Sequence, residues 1–289
     1  VYENKIYIEA NGRQFFGFKN VSFKKSMDTI CSSFSISFSK RFDNYSSDFT
    51  IREGDLISLK IDKDLILTGY VDDYSPAMGE SEMSYNISGR DKAGDLVDCA
   101  AIYGKGSWNG KKIPLVTIIS DLIKPYGLEI ESTSKQLISN LAVLKTFAIA
   151  TPETVFECIN RLLKPIGLLQ GTDPRGFLKL LDVRSANISG RRKASGFLKT
   201  GSNIKDCSAT YSHADRFSYY KVIGEAASSG GFSFSSQGVS YVKGDCKDEG
   251  MKRYRPIIIM AEMAMNKNSV IERAKWERSI KMARSSTAK

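Results

Sequence analysis

The residues that could do chemistry are few and far apart. One histidine, His213, stands in TYSHADRF with Asp215 two positions on. With one imidazole no multi-histidine metal site can form, and any catalytic triad must be built on that residue. A lone histidine beside an aspartate in strand-like sequence reads as structural or solvent-facing. No Gly-x-Ser-x-Gly elbow occurs. GKGSWNGKK, from Gly104, has the look of a phosphate loop but departs from the pattern twice. Lys105 stands where the first glycine belongs, and Lys112 replaces the magnesium-holding Ser or Thr. It reads as a Gly-rich surface loop.

Two carboxylate pairs, Asp62 with Asp64 and Asp72 with Asp73, raise glycoside hydrolysis. Both lie in or beside an expected hairpin, where aspartates serve backbone hydrogen bonding. Neighbouring strand residues also point to opposite faces. Tyr219 and Tyr220, near Arg216 and Lys221, suit stacking on single-stranded nucleic acid. Alternating aromatics in a strand are first of all packing groups. Cys31, Cys99, Cys158, Cys207 and Cys246 are odd in number and widely spaced. They read as reduced core residues, not as a zinc or redox motif. No catalytic, cofactor-binding or metal-binding residue is assigned, and no cofactor is called for.

Charge adds a second clue. The 289 residues carry 42 Lys and Arg against 32 Asp and Glu, a formal +10. Such an excess attracts nucleic acid, an acidic partner or a membrane face. Its densest clusters, RRK at Arg191 and KRYR at Lys252, are short, so the plain reading is a solvated basic surface. The longest apolar run, PIIIMAEMAM from Pro256, is broken by Glu262 and too short to span a membrane. The start, VYENKIYIEA, shows no signal-peptide pattern.

These residues must be held by elements of two kinds. The first hundred residues alternate in the period of strands: Phe34, Ile36 and Phe38 among serines, then Ile57, Leu59 and Ile61, then Met83, Tyr85 and Ile87. DLISLKI turns through Asp62, Lys63 and Asp64 into LILTGYV, a hairpin. From Lys112 the period changes. Leu115, Ile118, Ile119, Leu122 and Ile123 mark one helix, with Pro114 in its first turn and Pro125 and Gly127 ending it. Pro125 is expected to move Lys124 out of the helical region. The short strand LEIE follows.

A second unit repeats the phrase. LIKPYGL from Leu122 returns as LLKPIGL from Leu162. Thr151 is the expected N-cap, Pro152 the first helical residue, and Val155, Ile159, Leu162, Leu163 and Ile166 the stripe. GLLQ and FLKLLD are then strands joined by TDPRG. After about Ser185 strands resume in RFSYYKVIGEA and GVSYVKG, on either side of a flexible SSGGFSFSSQG. A last helix carries an expected Ser269–Glu272 capping box and a Trp276, Ile280, Ala283 stripe, before a polar tail SSTAK.

Three colinear segments carry a resemblance: GDLISLKIDKDLILTGYVDDY from Gly54, ISGRDKAGDLVDCAA from Ile87, and RFSYYKVIGEA with KRYRPIIIMAE and ERAKWE. Together they resemble the Mu-like phage tail protein family, the baseplate hub proteins of contractile tails. The fold this implies, in agreement with the pattern above, is α+β and mainly β. Two barrel-like antiparallel β domains, residues 1–110 and 186–289, flank a small α/β region at 111–185.

The resemblance further implies a structural role without catalysis. Three copies would form a ring presenting six tube-like domains, joining a six-fold tail tube to a three-fold spike. The implied partners are the chain itself as a homotrimer, the tail tube protein and the central spike protein, with DNA at most passing through the ring. The implied place is the virion baseplate, after assembly in the host cytoplasm. Further strands would be expected after ERAKWE to complete the last domain. Interface residues stay unassigned, because one sequence does not separate an interface face from a core face. A nucleic-acid-binding protein and a cell-wall hydrolase of the tail are the competing readings.

Overall fold

The computed structural model describes all residues except 1–4, 27–28, 40–50, 79–82, 140–142, 183–198, 200, 203, 205, 227–240 and 289. The RRK cluster at Arg191 and the SSGGFSFSSQG stretch lie outside the described residues. Among the described residues strand outweighs helix, 44% against 24%, so the fold is mainly β. It divides into two compact units. The first holds Val1–Ile159 and Gln170–Leu180, the second Asn160–Leu169 and Leu181–Lys289.

The first unit is built on one antiparallel sheet. Its strands are β1 (Ile6–Ala10), β2 (Arg13–Phe15), β3 (Asn20–Lys24), β4 (Ser33–Ser39), β5 (Leu56–Ile61), β6 (Asp64–Met78) and β7 (Met83–Asp91). They run in the order β2-β1-β5-β6-β7-β4-β3 and curl into a half-barrel. The expected period-2 faces line its core: Phe34, Ile36 and Phe38, Ile57 and Leu59, and Ile87 are buried with Ile8, Leu67 and Val71. The hairpin turns at Asp62, in the left-handed region at φ 53°. Bulges at Leu59/Lys60 and Val71/Asp73 shift the register, and bulges bend a sheet.

Two glycines let the long strands approach. A Cβ on Gly69 would sit 2.0 Å from the Arg90 carbonyl oxygen. One on Gly89 would sit 2.0 Å from that of Tyr70 and 2.8 Å from the Phe34 ring. Neither is a turn glycine; each marks close contact between β6 and β7.

The middle of the chain supplies α1 (Gly94–Asp98), β8 (Ser107–Pro114), α2 (Leu115–Ile123), α3 (Ser132–Ser139), β9 (Val143–Ala148), α4 (Val155–Leu163), β10 (Leu168–Thr172) and β11 (Leu178–Asp182). All five stripe residues of α2 are buried. The KP-x-G phrase does the same job twice. At Lys124–Tyr126 and Lys164–Ile166 the helix tightens into a 3-10 turn, and Gly127 (φ 65°) and Gly167 (φ 74°) close it in the left-handed region.

Several expectations are corrected here. Lys124 keeps helical angles, because a 3-10 turn accommodates the proline that follows. LEIE is not a strand; only Ile130 makes a bridge, parallel to Leu178, and the chain turns into α3. Helix α4 is capped at Thr154 and not Thr151. The Glu157 N–H donates to Thr154 Oγ1 and the Thr154 N–H to Glu157 Oε2, a reciprocal capping box. The Gly-rich stretch from Gly104 is largely strand β8, paired with β9. Trp108 is buried there, stacked on Tyr103 with centroids 4.1 Å apart and donating to Asp121.

The second unit contains β12 (Ala209–Tyr211), β13 (Tyr219–Glu225), β14 (Tyr241–Lys247), β15 (Pro256–Met260), α5 (Lys267–Arg284) and β16 (Ser286–Ala288). The central sheet has the order β14-β13-β15, with β13 antiparallel to β14 and parallel to β15. Helix α5 covers one face of it, packing Val270 and Ala274 against Val222 and Met265. Its capping box is Asn266 with Ser269, three residues before the expected Ser269–Glu272. Ala283 is exposed; the buried face is Val270, Arg273, Ala274 and Trp276. The SSTAK stretch is no free tail, for Ser286–Ala288 pairs with β12. Among the described residues the sheets β14-β13-β15 and β12-β16 of this unit hold three and two strands, against seven in the main sheet of the first unit.

Candidate assembly surface

The residues singled out for chemistry are dispersed into structural duties. His213 is exposed, and its backbone carbonyl accepts from Arg255. Asp62 belongs to the hairpin, its Oδ1 accepting from the Lys5 N–H. Asp72 and Asp73 straddle the β6 bulge and part company. Asp72 accepts from Arg90 at 2.9 Å, and Asp73 from the Ser88 hydroxyl. Tyr220 is fully buried with its hydroxyl accepting from the Phe217 N–H, so it stacks on no base. Of the cysteines only Cys158 is buried, while Cys207 is exposed, which corrects the all-core reading. Among the described residues no group of three or more His, Cys, Asp or Glu is placed to hold a metal.

The GRDKAGD segment acts as a fastener. Arg90 forks between Asp72 and Asp98, at 2.9 and 2.6 Å. These partners raise its basicity, and Arg90 holds the Asp98 carboxyl below its ordinary range. Asp91, 4% exposed, accepts from the Ser32 N–H at 2.8 Å, the Thr172 hydroxyl at 2.7 Å and the Ala93 N–H at 3.1 Å. One carboxylate thus ties the residue that precedes β4 to the end of β7 and to β10.

The second unit has its own fastener, which sequence reasoning missed. Arg273, 3% exposed, donates to Glu262 at 2.9 Å and Glu277 at 2.7 Å. Lys164, from the second KP-x-G turn, reaches Glu262 at 2.9 Å and lies over the Trp276 ring. The Trp276 N–H donates to the Leu168 carbonyl at 3.0 Å. Burial pushes the Glu262 carboxyl up, but Arg273 and Lys164 outweigh it and bring its pKa down to about 2. The available signal was Glu262 interrupting an apolar run and Arg273 one step from the Trp276 stripe.

The described surface also carries groups suited to contact with other chains. Both units expose large apolar side chains: Met78 and Ile102 in the first, Ile258 and Met260 in the second. The outer strands β3 and β2 end one sheet, and β14 and β15 end the other. Edges and apolar patches of this kind are where chains associate.

Comparison with known proteins decides the meaning of this inventory. Residues 5–91 match the model of the Mu phage baseplate assembly protein GpP-like N-terminal domain. Residues 93–182 match that of the baseplate hub protein gp44-like second domain. The baseplate hub protein gp44 of Escherichia phage Mu is 30% identical over 288 residues, covering 98% of this chain and 72% of its own. The chain belongs to the Mu-like baseplate hub family. The 43 kDa tail protein of prophage MuSo2 from Shewanella oneidensis shares its fold, with TM-score 0.75 and 27% identity, over 99% of this chain and 81% of that one. The tail protein of Neisseria meningitidis MC58 matches at TM-score 0.71 and 19% identity, over 99% and 79%. This hub protein is therefore a structural component of a Mu-like phage tail and not an enzyme, and the cell-wall hydrolase reading is withdrawn.

Proposed function

We propose that three copies of this hub protein form a ring at the baseplate of a contractile tail. The ring joins the six-fold tail tube to the three-fold central spike. The observation that carries the reading is the match to a Mu baseplate hub protein along 98% of the chain. In this reading each copy contributes two β modules, one to about residue 110 and one from about residue 186, with the α/β region of 111–185 beside them. Three copies then offer six modules to the tube.

A cyclic trimer requires head-to-tail contact between two different patches of the chain. The exposed Met78 and Ile102 of the first unit and Tyr211 of the second supply apolar area for such contacts. The tail tube and spike proteins are the partners, DNA at most passes through the ring, and assembly takes place in the host cytoplasm. Interfaces held by apolar burial resist salt. Light scattering at tens of micromolar should give a trimer mass in both about 0.1 M and about 0.5 M NaCl. A monomer at both overturns the proposal.

A further inference from the structure

The net charge of this hub protein is confined to one of its units. The second unit has 22 Lys and Arg against 10 Asp and Glu, a formal +12; the first has 20 against 22, a formal −2. The second unit's acids are partly spent internally, Glu262 and Glu277 on Arg273, Glu272 on Lys275 and Asp248 on Arg216. By contrast Lys221, Lys243, Lys247, Lys252 and Arg253 enter no ion pair among the described residues.

Three of them, Lys221, Lys243 and Lys247, share one face of a sheet, and Lys252 and Arg253 stand on the segment that enters it. The sheet β14-β13-β15 has α5 on one face, and strand alternation sends the other residues to the opposite face. There three rows cross the sheet, with a β13 residue in the middle of each: Lys243–Ile223–Met260, Asp245–Lys221–Ile258 and Lys247–Tyr219–Pro256. Lys252, Arg253 and Tyr254 lead into β15. Tyr254 is 83% exposed and Tyr241, at the start of β14, 53%. Tyr254 and Asp245 both lie beside the Tyr219 hydroxyl.

We infer that this open sheet face binds single-stranded nucleic acid, with Tyr254 and Tyr241 as stacking groups and the five cations on the phosphates. Charge complementarity picks this occupant. A second copy docked face to face sets lysines against lysines, and the first unit, at −2, offers no matching acidic excess. Exposed aromatics set among cations serve unpaired bases, whose π-faces are available, better than a duplex, whose bases are stacked inside. Three strands about 5 Å apart and roughly 20 Å long accommodate about four nucleotides, the low end for a single stacking platform.

The test is fluorescence anisotropy of a labelled dT20 oligonucleotide against the full chain, with light scattering on the same samples to follow the hub assembly separately. Binding should weaken with salt at a log–log slope of about −3.5, from five phosphate contacts on a single strand. Tyr254→Ala should weaken it about tenfold while Tyr254→Phe retains it. Lys243→Glu should weaken it further, and Lys105→Glu in the first unit should leave it unchanged. No binding at about 50 mM salt overturns the inference. So does equal affinity of Tyr254→Ala and the parent, which leaves only diffuse electrostatics. Competition by polyglutamate as strong as by unlabelled dT20 overturns it too, since an acidic protein is then the ligand.

Discussion

Asp91 and Arg273 are buried charges with opposite signs and the same duty, holding segments distant in sequence at one point. Asp91 accepts three hydrogen bonds while nearly sealed from water. Asp91→Asn must present its amide N–H2 either to the Ser32 N–H or to the Ala93 N–H. That mispairing should destabilise the first unit by about 2 kcal/mol, read as a lowered midpoint in urea. The Glu262 carboxyl has its pKa lowered from 4.5 to about 2. A depressed folded pKa means stability that is complete above 4.5 and is lost as pH falls from 4.5 towards 2. With the Glu262 side chain 28% exposed, the loss should be on the order of 2–3 kcal/mol after screening. Asp248, held below its ordinary range by Arg216, adds to it in the same direction. Comparing urea midpoints at pH 5.5 and pH 3 should show a smaller acid loss in Glu262→Gln than in the parent. An equal loss in both would remove Glu262 from the account.

Elements depend on glycines for two separable reasons. Gly89 permits close approach, so Gly89→Ala drives a Cβ into the Tyr70 carbonyl and the Phe34 ring. It should cost about 3 kcal/mol or more, seen as loss of soluble protein or of cooperative melting. Gly127 permits a positive φ with open space around it, so Gly127→Ala should cost only about 1 kcal/mol. This difference bears on what was legible in the sequence. Period and punctuation were legible: the α2 stripe is buried residue for residue, and both KP-x-G stops fall where the proline and glycine place them. Caps were not read correctly: Thr151 followed by Pro152 looks like a helix start, but the reciprocal box belongs to Thr154 and Glu157, which sets the start three residues later. The strand at Ser107 hid behind glycines and lysines, since Trp108 alone carries its buried face. The Lys164–Glu262–Arg273 cluster joins residues up to about a hundred positions apart, which no local pattern records.

At the scale of the whole molecule, the chain does its work by the surfaces it offers to other chains. Each unit carries its own β-sheet with outer strands and exposed apolar side chains, and the family to which it belongs builds baseplates. The small fasteners set how rigidly each sheet is held, and a rigid sheet is what a symmetric assembly must reproduce copy after copy. The ring is the claim on which the rest turns. Electron microscopy of the purified chain, with class averages sorted by symmetry, tests it most directly. The account predicts a three-fold ring with six lobes around its rim; averages that show single separate chains, or a ring of any other symmetry, contradict it.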